Sequence, residues 1–329
     1  MRSAIILAAG KGTRMKSETP KVLHPIIDRP MMGYIVDSLK EAGADRIVAV
    51  VGYKAGEVKE AFPELEFAIQ EPQLGSGHAA MQADMLEGED GLTLVINGDG
   101  PCIQPETLKK LYEAGEGNSL TLLSSVLEDG AHYGRVVRDA DGHVTGIVEA
   151  KDCTPEQRQI REINAGMYCF NTKDLFEGLK QLKPDNAQHE YYITDLAKIF
   201  AREGKSVDAI VVDDREETAG INDPSELASA SAWLQQKICH RHMRNGVHIC
   251  DPDRTVIGRD VVIGRDVLIE PDVMILGRSV IGDGARILAG SRLENAVVGK
   301  RACIDACRVY NVSVPDDTQA GPFAVLKNE

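Results

Sequence analysis

Ala4-Ile5-Ile6-Leu7-Ala8-Ala9-Gly10-Lys11-Gly12-Thr13-Arg14-Met15, followed by Pro20-Lys21-Val22-Leu23, is the stretch on which the fold turns. Its six consecutive apolar residues, 4–9, break into a glycine turn. A run this short and continuous reads as a strand buried on both faces of a mostly parallel sheet. It is not a secretory leader, because the apolar run is too short and no cleavage pattern follows. A chain that turns through glycines beyond a strand points successive N–H groups outward and makes an anion cradle. Lys11, Arg14, Lys16 and Lys21 add four positive charges within eleven residues. The spacing lacks the Gly-x-x-x-x-Gly-Lys-Ser/Thr of a P-loop and the third glycine of a dinucleotide fingerprint. By itself, Gly10-x-Gly12 is also the pattern of an ordinary turn with solvated lysines.

Outward from this stretch, residues 47–51, 92–96 and 120–126 are further short runs rich in Val, Ile and Leu. Amphipathic segments such as 32–42 and 105–114 lie between them, and the alternation predicts an open, Rossmann-like α/β domain over residues 1–222. Asp223-Pro224-Ser225-Glu226 then supplies an N-cap, a proline at the first helical position and an acid at the third. Leu227, Ala230, Leu234 and Ile238 keep helical spacing and Asn245-Gly246 stops it, which predicts a long connecting helix over 223–246. From Ile257 the period becomes six. Ile257, Ile263, Ile269, Ile275, Ile281, Ile287 and Leu293 form a hexapeptide repeat over seven steps, and after a one-residue slip Val298, Ile304 and Tyr310 resume it. Such rungs stack around one apolar column, so residues 247–329 are expected to form a short parallel β-helix.

The chain has 329 residues, enough for about two domains. With 37 Lys and Arg against 51 Asp and Glu it carries a net charge of −14, which disfavours nonspecific binding to nucleic acid. An anionic ligand therefore needs a local basic cluster, and residues 11–21 supply one. No apolar run approaches the roughly 18 residues of a membrane span. The seven Cys are odd in number with no Cys-x-x-Cys pair, so reduced thiols and a cytoplasmic setting are expected.

Leu7–Met15 with Lys21 resembles the signature of the sugar-1-phosphate nucleotidyltransferases. The resemblance extends in order through Gln70-Glu71-Pro72-Gln73-Leu74-Gly75-Ser76-Gly77-His78-Ala79, Tyr133-Gly134-Arg135, Ile147-Val148-Glu149, Glu162-Ile163-Asn164, Asn186-Ala187-Gln188-His189-Glu190-Tyr191-Tyr192-Ile193-Thr194-Asp195 and Gly220-Ile221-Asn222. These blocks are most similar to the uridyltransferase domain of bacterial bifunctional uridyltransferase/acetyltransferases, which also carry a hexapeptide-repeat β-helix. The resemblance implies left-handedness for the β-helix, a homotrimer, and UTP and an N-acetylhexosamine 1-phosphate as substrates with Mg2+. It implies that Leu7, Ala8, Gly10 and Gly12 meet the nucleotide and that Arg14 and Lys21 hold its phosphates. Gln70, Gly75 and Ser76 would read the uracil, and Gly134, Glu149 and Asn164 the amino-sugar. Asn97 and Gly98 would line the substrate site, with Asp99 and Asn222 on the metal.

The residue types suit these roles. Asp99 lies in Asn97-Gly98-Asp99-Gly100-Pro101, just beyond an expected strand, where open α/β sheets bind ligands. It is also a common turn residue. Magnesium often takes one or two protein oxygens and leaves the rest to water and phosphate. Gln70 can both give and accept on a base edge. Arg14, Lys21, Asp99 and Asn222 are expected around one cleft.

Four positions depart from the family pattern: Ser76 and Ala165 stand where threonine is usual, Gly100 where a bulkier residue is usual, and His189 where glycine is usual. All four are expected at the base and sugar pockets. The repeat is shorter than the family's, and no acetyltransferase activity is expected. Two other readings remain: a nucleotidyltransferase for a different hexosamine phosphate or nucleotide, and a non-catalytic module that binds a sugar nucleotide. His240-x-His242 reads as solvated helix surface and Cys303-x3-Cys307 as packing within the repeat.

Overall fold

The computed structural model describes residues 1–130 and 132–327. It divides into two compact units, one formed by Met1–His24 with Pro30–Glu226, the other by Pro25–Arg29 with the chain from Leu227 onward.

The first unit is built on a nine-stranded sheet. Its strands are β1 Arg2–Ala8, β2 Arg46–Val51, β3 Glu66–Ile69, β4 Leu92–Asn97, β5 Leu120–Val126, β6 Arg135–Arg138, β7 Val144–Val148, β8 Glu162–Asn171 and β9 Val207–Val211. The main order is β9-β5-β8-β4-β1-β2-β3, with β6 joining β8 and β7. The pairs β1–β2, β1–β4, β2–β3 and β5–β9 are parallel. β8 runs antiparallel between β4 and β5.

Consecutive residues of a strand face opposite layers, so a sheet covered on both faces needs unbroken apolar runs. Ala4, Ile6 and Ala8 enter one core with Met32, Ile35, Val36 and Leu39 of α1 Met31–Glu41 and with Leu108, Leu111 and Tyr112 of α4 Pro105–Gly115. Ile5 enters the other core with Ala79 and Ala80 of α3 Ser76–Met81, Leu175 and Leu179 of α5 Thr172–Leu179 and Phe200 of α6 Asp195–Arg202. A shorter helix, α2 Ala55–Ala61, links β2 to β3. The chain builds outward from β1 through β2 and β3, then returns to place β4 on β1's other side. That reversal opens a crevice at the carboxyl ends of β1 and β4.

Helix α7 Pro224–Arg244 begins where the Asp223 carboxylate accepts from the N–H groups of Ser225 (2.8 Å) and Glu226 (2.9 Å). His240 is exposed, but His242 is buried, which corrects the expectation of solvated surface. It lies four residues past Ile238 and so continues the helix's apolar stripe. Burial and the neighbouring Arg241 push its pKa down to about 4.

In the second unit, two- and three-residue strands stack in three parallel ladders. One passes through Ile257, Ile275, Leu293 and Val309, another through Ile269, Ile287 and Ile304, the third through Ile263, Ile281, Val298 and Val314. This is a left-handed parallel β-helix made by the hexapeptide repeat. Burying an aliphatic side chain is worth roughly 1.5–3 kcal/mol, so the column of inward residues fixes the register. That column holds Val309 in place of the expected Tyr310. Val309 is fully buried while Tyr310 sits beside it, half-buried. The step shortens a second time between Ile304 and Val309, keeping an aliphatic side chain inside. Within this unit Asp28 accepts from the Gly277 N–H (2.9 Å) and Arg29 pairs with Asp260. Cys307 is buried in the column, and all seven cysteines are free. No helix among the described residues is long and apolar enough to cross a membrane.

Candidate active site

Two cavities open at the crevice. The glycine-loop cavity, about 260 Å³, is walled by Leu7, Ala8, Gly10, Gly12, Thr13, Arg14, Lys21, Val22, Gly98, Asp99 and Asn222. The bulge cavity, about 250 Å³, includes Ser76, Asn97, Asp99, Gly134, Glu149, Asn164 and Asn222. Asp99 and Asn222 belong to both walls. Arg14, Lys21, Asp99 and Asn222 thus surround one space. Gln70 and Gly75 lie in neither wall.

The first cavity is made by local geometry. Gly12 takes a left-handed conformation (φ 60°), and a Cβ there would stand 2.6 Å from Cβ of Lys21. Only glycine lets the loop fold back over Lys21. Lys11, Arg14 and Lys16 are exposed and pair with no carboxylate among the described residues. Gly98 N–H donates to the Leu7 carbonyl (2.9 Å), fastening the end of β4 to β1. The Asp99 carbonyl accepts from Ile221 N–H (2.9 Å).

Lys21 Nζ stands 2.6 Å from Asp99 Oδ2 and 2.8 Å from Asn222 Oδ1. Asn222 spends its Nδ2 on the Gly220 carbonyl (3.3 Å), so its oxygen is the end turned to the cation. Its backbone N–H donates to Glu226 Oε2 (2.6 Å) in the first turn of α7. One carboxylate and one amide oxygen already converge on a cationic group, the ammonium. That hard-oxygen donor set fits a divalent ion completed by water and phosphate.

The bulge cavity is assembled from separate elements. β8 pairs with β5 up to Asn164 and again from Tyr168, with an irregularity between. At Gly166 the chain is left-handed (φ 72°), and a Cβ would stand 2.5 Å from Nδ2 of Asn97. Inside this bulge Asn164 is clamped. Its Nδ2 donates to Tyr168 Oη (2.7 Å), its Oδ1 accepts from Gly166 N–H (3.1 Å), and its own N–H donates to the Gly134 carbonyl (2.9 Å). Gly134 leaves room for Glu149, whose Oε2 would be 3.4 Å from a Cβ there. Thr194 Oγ1 donates to Glu149 Oε1 (3.0 Å). Burial pushes the Glu149 carboxyl above its ordinary range, an effect the Thr194 bond partly offsets.

Gln70 is buried at the end of β3, where its Nε2 donates to the Gly75 carbonyl (2.9 Å). Gln73 ties this segment to the first loop by donating to the Ala9 carbonyl (2.6 Å). The segment 186–195 packs on it, through Tyr191 N–H to the Leu74 carbonyl, Gly77 N–H to the Tyr191 carbonyl and Ile193 N–H to Ser76 Oγ. Of the four unusual positions, Ser76, Gly100 and Ala165 line the bulge cavity. His189 does not. It occupies an exposed turn at φ 55°, which explains why glycine suits that place. Thr194, Gln73 and Glu226 were not singled out from sequence for these contacts. Glu226 was legible only as a cap.

The sheet, the crevice and the glycine loop define a nucleotidyltransferase. Residues 4–193 match the family model described as the MobA-like NTP transferase domain, and residues 260–295 match that of the bacterial transferase hexapeptide (six repeats). The chain is 44% identical to the Bifunctional protein GlmU of Listeria monocytogenes serotype 4a (strain HCC23), over 100% of this chain and 73% of that protein. It is 46% identical to the protein of the same name from Acetivibrio thermocellus, over 98% of this chain and 71% of that protein. A solved UDP-glucose pyrophosphorylase in complex with UDP-glucose shares the fold, with TM-score 0.59 and 22% identity over 72% of this chain and 99% of that chain. The chain belongs to the GlmU-like uridyltransferases with a C-terminal hexapeptide domain. It is an enzyme of the UDP-sugar pyrophosphorylase type.

Proposed function

We propose that this chain transfers the uridylyl group of UTP to N-acetylglucosamine 1-phosphate, forming UDP-N-acetylglucosamine and pyrophosphate. The observation that carries the reading is the meeting of two unlike cavities at Asp99 and Asn222. One is walled by a glycine loop with Arg14 and Lys21 and suits a triphosphate. The other is walled by Glu149, Asn164 and Gly134 and suits a neutral sugar ring rich in hydroxyls.

In the reaction an oxygen of the sugar 1-phosphate attacks the α-phosphorus of UTP in line. The bond from that phosphorus to the bridging oxygen of pyrophosphate breaks, and no covalent enzyme intermediate forms. Both reactants are polyanions, so the work is neutralisation and alignment. Arg14 and Lys21 place positive charge on the triphosphate. Asp99 and Asn222 would hold magnesium, which when bound supplies further positive charge to the phosphates. Glu149 accepts from sugar hydroxyls, and Asn164 meets the acetamido group. Gln70, Gly75 and Ser76 read the uracil.

The test is pyrophosphate release from UTP, N-acetylglucosamine 1-phosphate and magnesium, run beside other hexosamine 1-phosphates. The panel matters because Ser76, Gly100 and Ala165, the shorter side chains, share the bulge cavity. No release with any of them would sink the reading. A homotrimer is part of the proposal. Val262, Val280 and Val297 stack in one ladder of the β-helix and are 59%, 40% and 45% exposed, an apolar face suited to a second copy. Val280→Asp should then lower the mass measured by light scattering, and an unchanged mass would argue against that face.

A further inference from the structure

Two duties fall on Lys21, and they draw its ammonium in different directions. As a phosphate ligand it must face the glycine-loop cavity. Yet its Nζ donates to Asp99 Oδ2 (2.6 Å) and Asn222 Oδ1 (2.8 Å), the same two oxygens that suit a divalent ion. Magnesium takes such hard oxygens at about 2.0–2.1 Å, so an ion on either of them would stand within about 5 Å of Nζ. The Lys21 side chain is only 12% exposed, and two positive charges so close and so little screened repel strongly. Neither partner can simply turn away. Asn222 Nδ2 is held by the Gly220 carbonyl (3.3 Å), which keeps the amide oxygen toward the cation. Gly12 lies on the lysine stem, where a Cβ would meet Cβ, Cγ and Cδ of Lys21 at 2.6, 3.2 and 3.1 Å. Movement is thereby confined to the end of the side chain beyond Cδ.

We propose that Lys21 is a placeholder for the divalent ion: its ammonium and the ion compete for Asp99 and Asn222, and a triphosphate in the glycine-loop cavity opens the pair by drawing the ammonium away. The ammonium holds the two oxygens together and neutralises the carboxylate until then. Lys21 thereby couples nucleotide binding to metal loading. By linkage, whatever engages the ammonium elsewhere tightens the ion, and the ion in turn favours the nucleotide. The ion alone is held weakly. The inference rests on the reading above of Asp99 and Asn222 as the metal pair and of Lys21 as a phosphate ligand, and adds that the two roles exclude each other in time.

The test is binding of Mn2+ without nucleotide, read by electron paramagnetic resonance of the free ion, to wild type, Lys21→Met and Arg14→Gln at roughly 0.15 M salt. Lys21→Met keeps an apolar stem and removes the rival cation, so Mn2+ should bind about tenfold tighter, the worth of one charged hydrogen bond. The same variant should bind UTP more weakly. A lysine with only a phosphate-binding or folding role would leave the Mn2+ affinity unchanged or lower, and that result overturns the proposal. Arg14→Gln removes an equal charge that touches neither oxygen and should shift the affinity less than about twofold. A gain matching that of Lys21→Met would reduce the effect to general repulsion and also overturns it. If neither wild type nor Lys21→Met binds Mn2+, the metal pair itself falls and the placeholder with it. Should Lys21→Met fail to fold, lysine ¹⁵N spectra of wild type decide: a hydrogen-bonded Nζ signal that Mg2+ titrates away is expected, and one that survives saturation refutes the proposal.

Discussion

The two cavities solve different problems with different means. The glycine-loop cavity is nearly contiguous in sequence, residues 7–22 supplying most of its wall, and its Arg14 is exposed and unpaired among the described residues. The bulge cavity draws its wall from β8, the end of β7 and loops far apart in the chain; its Asn164 and Thr194 are buried, Glu149 is half-buried, and each is held by a side-chain hydrogen bond. Charge acts over several ångströms and tolerates loose placement. A neutral hydrogen bond weakens steeply with misalignment and needs a fixed frame. Phosphate binding can therefore be carried largely by one contiguous motif, whereas sugar recognition draws on distant segments.

The sharpest way to break this contrast is at the residue the cavities share. Asp99→Ala should lower kcat by about 10²–10³-fold, since it removes the carboxylate that would hold the cation facing the reacting phosphates. A variant matching wild type in pyrophosphate release would remove the cation site from the mechanism. Next comes the frame of the bulge. Gly166→Ala forces a side chain at φ 72° toward Asn97, and should cost about 1–3 kcal/mol of stability by denaturant titration. KM for the sugar phosphate should rise while that for UTP holds. Equal increases in both would show that the cavities are not separable.

Glu149→Gln tests a single group. Its KM for the sugar phosphate should rise about tenfold, as a charge-assisted hydrogen bond is lost. It should also change the pH dependence of stability. Burial raises the Glu149 pKa above the ordinary 4.5, so the folded state keeps a proton that the unfolded chain has released. This contribution makes wild-type stability fall as pH rises from about that ordinary value through the folded one. Thermal unfolding of the Gln variant should be flatter across that window, and an identical slope would discount the buried charge. Thr194→Val should have a smaller effect, roughly threefold on the same KM, because it loosens Glu149 without removing it. Smallest in stability is Arg14→Gln, whose exposed side chain can be lost with little cost to the fold, while UTP binding should weaken and lose part of its salt dependence.

Much of the fold was legible because buried strands and stacked rungs both require repeated apolar residues. Ala4, Ile5 and Ile6 announce a covered sheet, and Ile257 through Leu293 announce a column. Tyr310 misled because a fixed period carries no information on where a coil shortens. His242 misled because it is polar, although its place on the stripe after Ile238 was visible. The glycine loop was legible since its residues are neighbours in sequence. The clamp on Asn164 and the Thr194 bond to Glu149 were not, because a β-bulge and contacts between distant segments leave no local pattern. Residues 25–29 likewise group with the chain beyond Leu227, which no linear division at 222 reveals.

The bond from the Asn222 amide to Glu226 gives the start of α7 a duty beyond capping. Fraying of that first turn would let Asn222 drift and take one of the two cation-facing oxygens with it. Amide exchange at Ser225 and Glu226 therefore doubles as a gauge of how long the pocket stays armed, and Glu226→Ala should quicken that exchange and blunt metal response together.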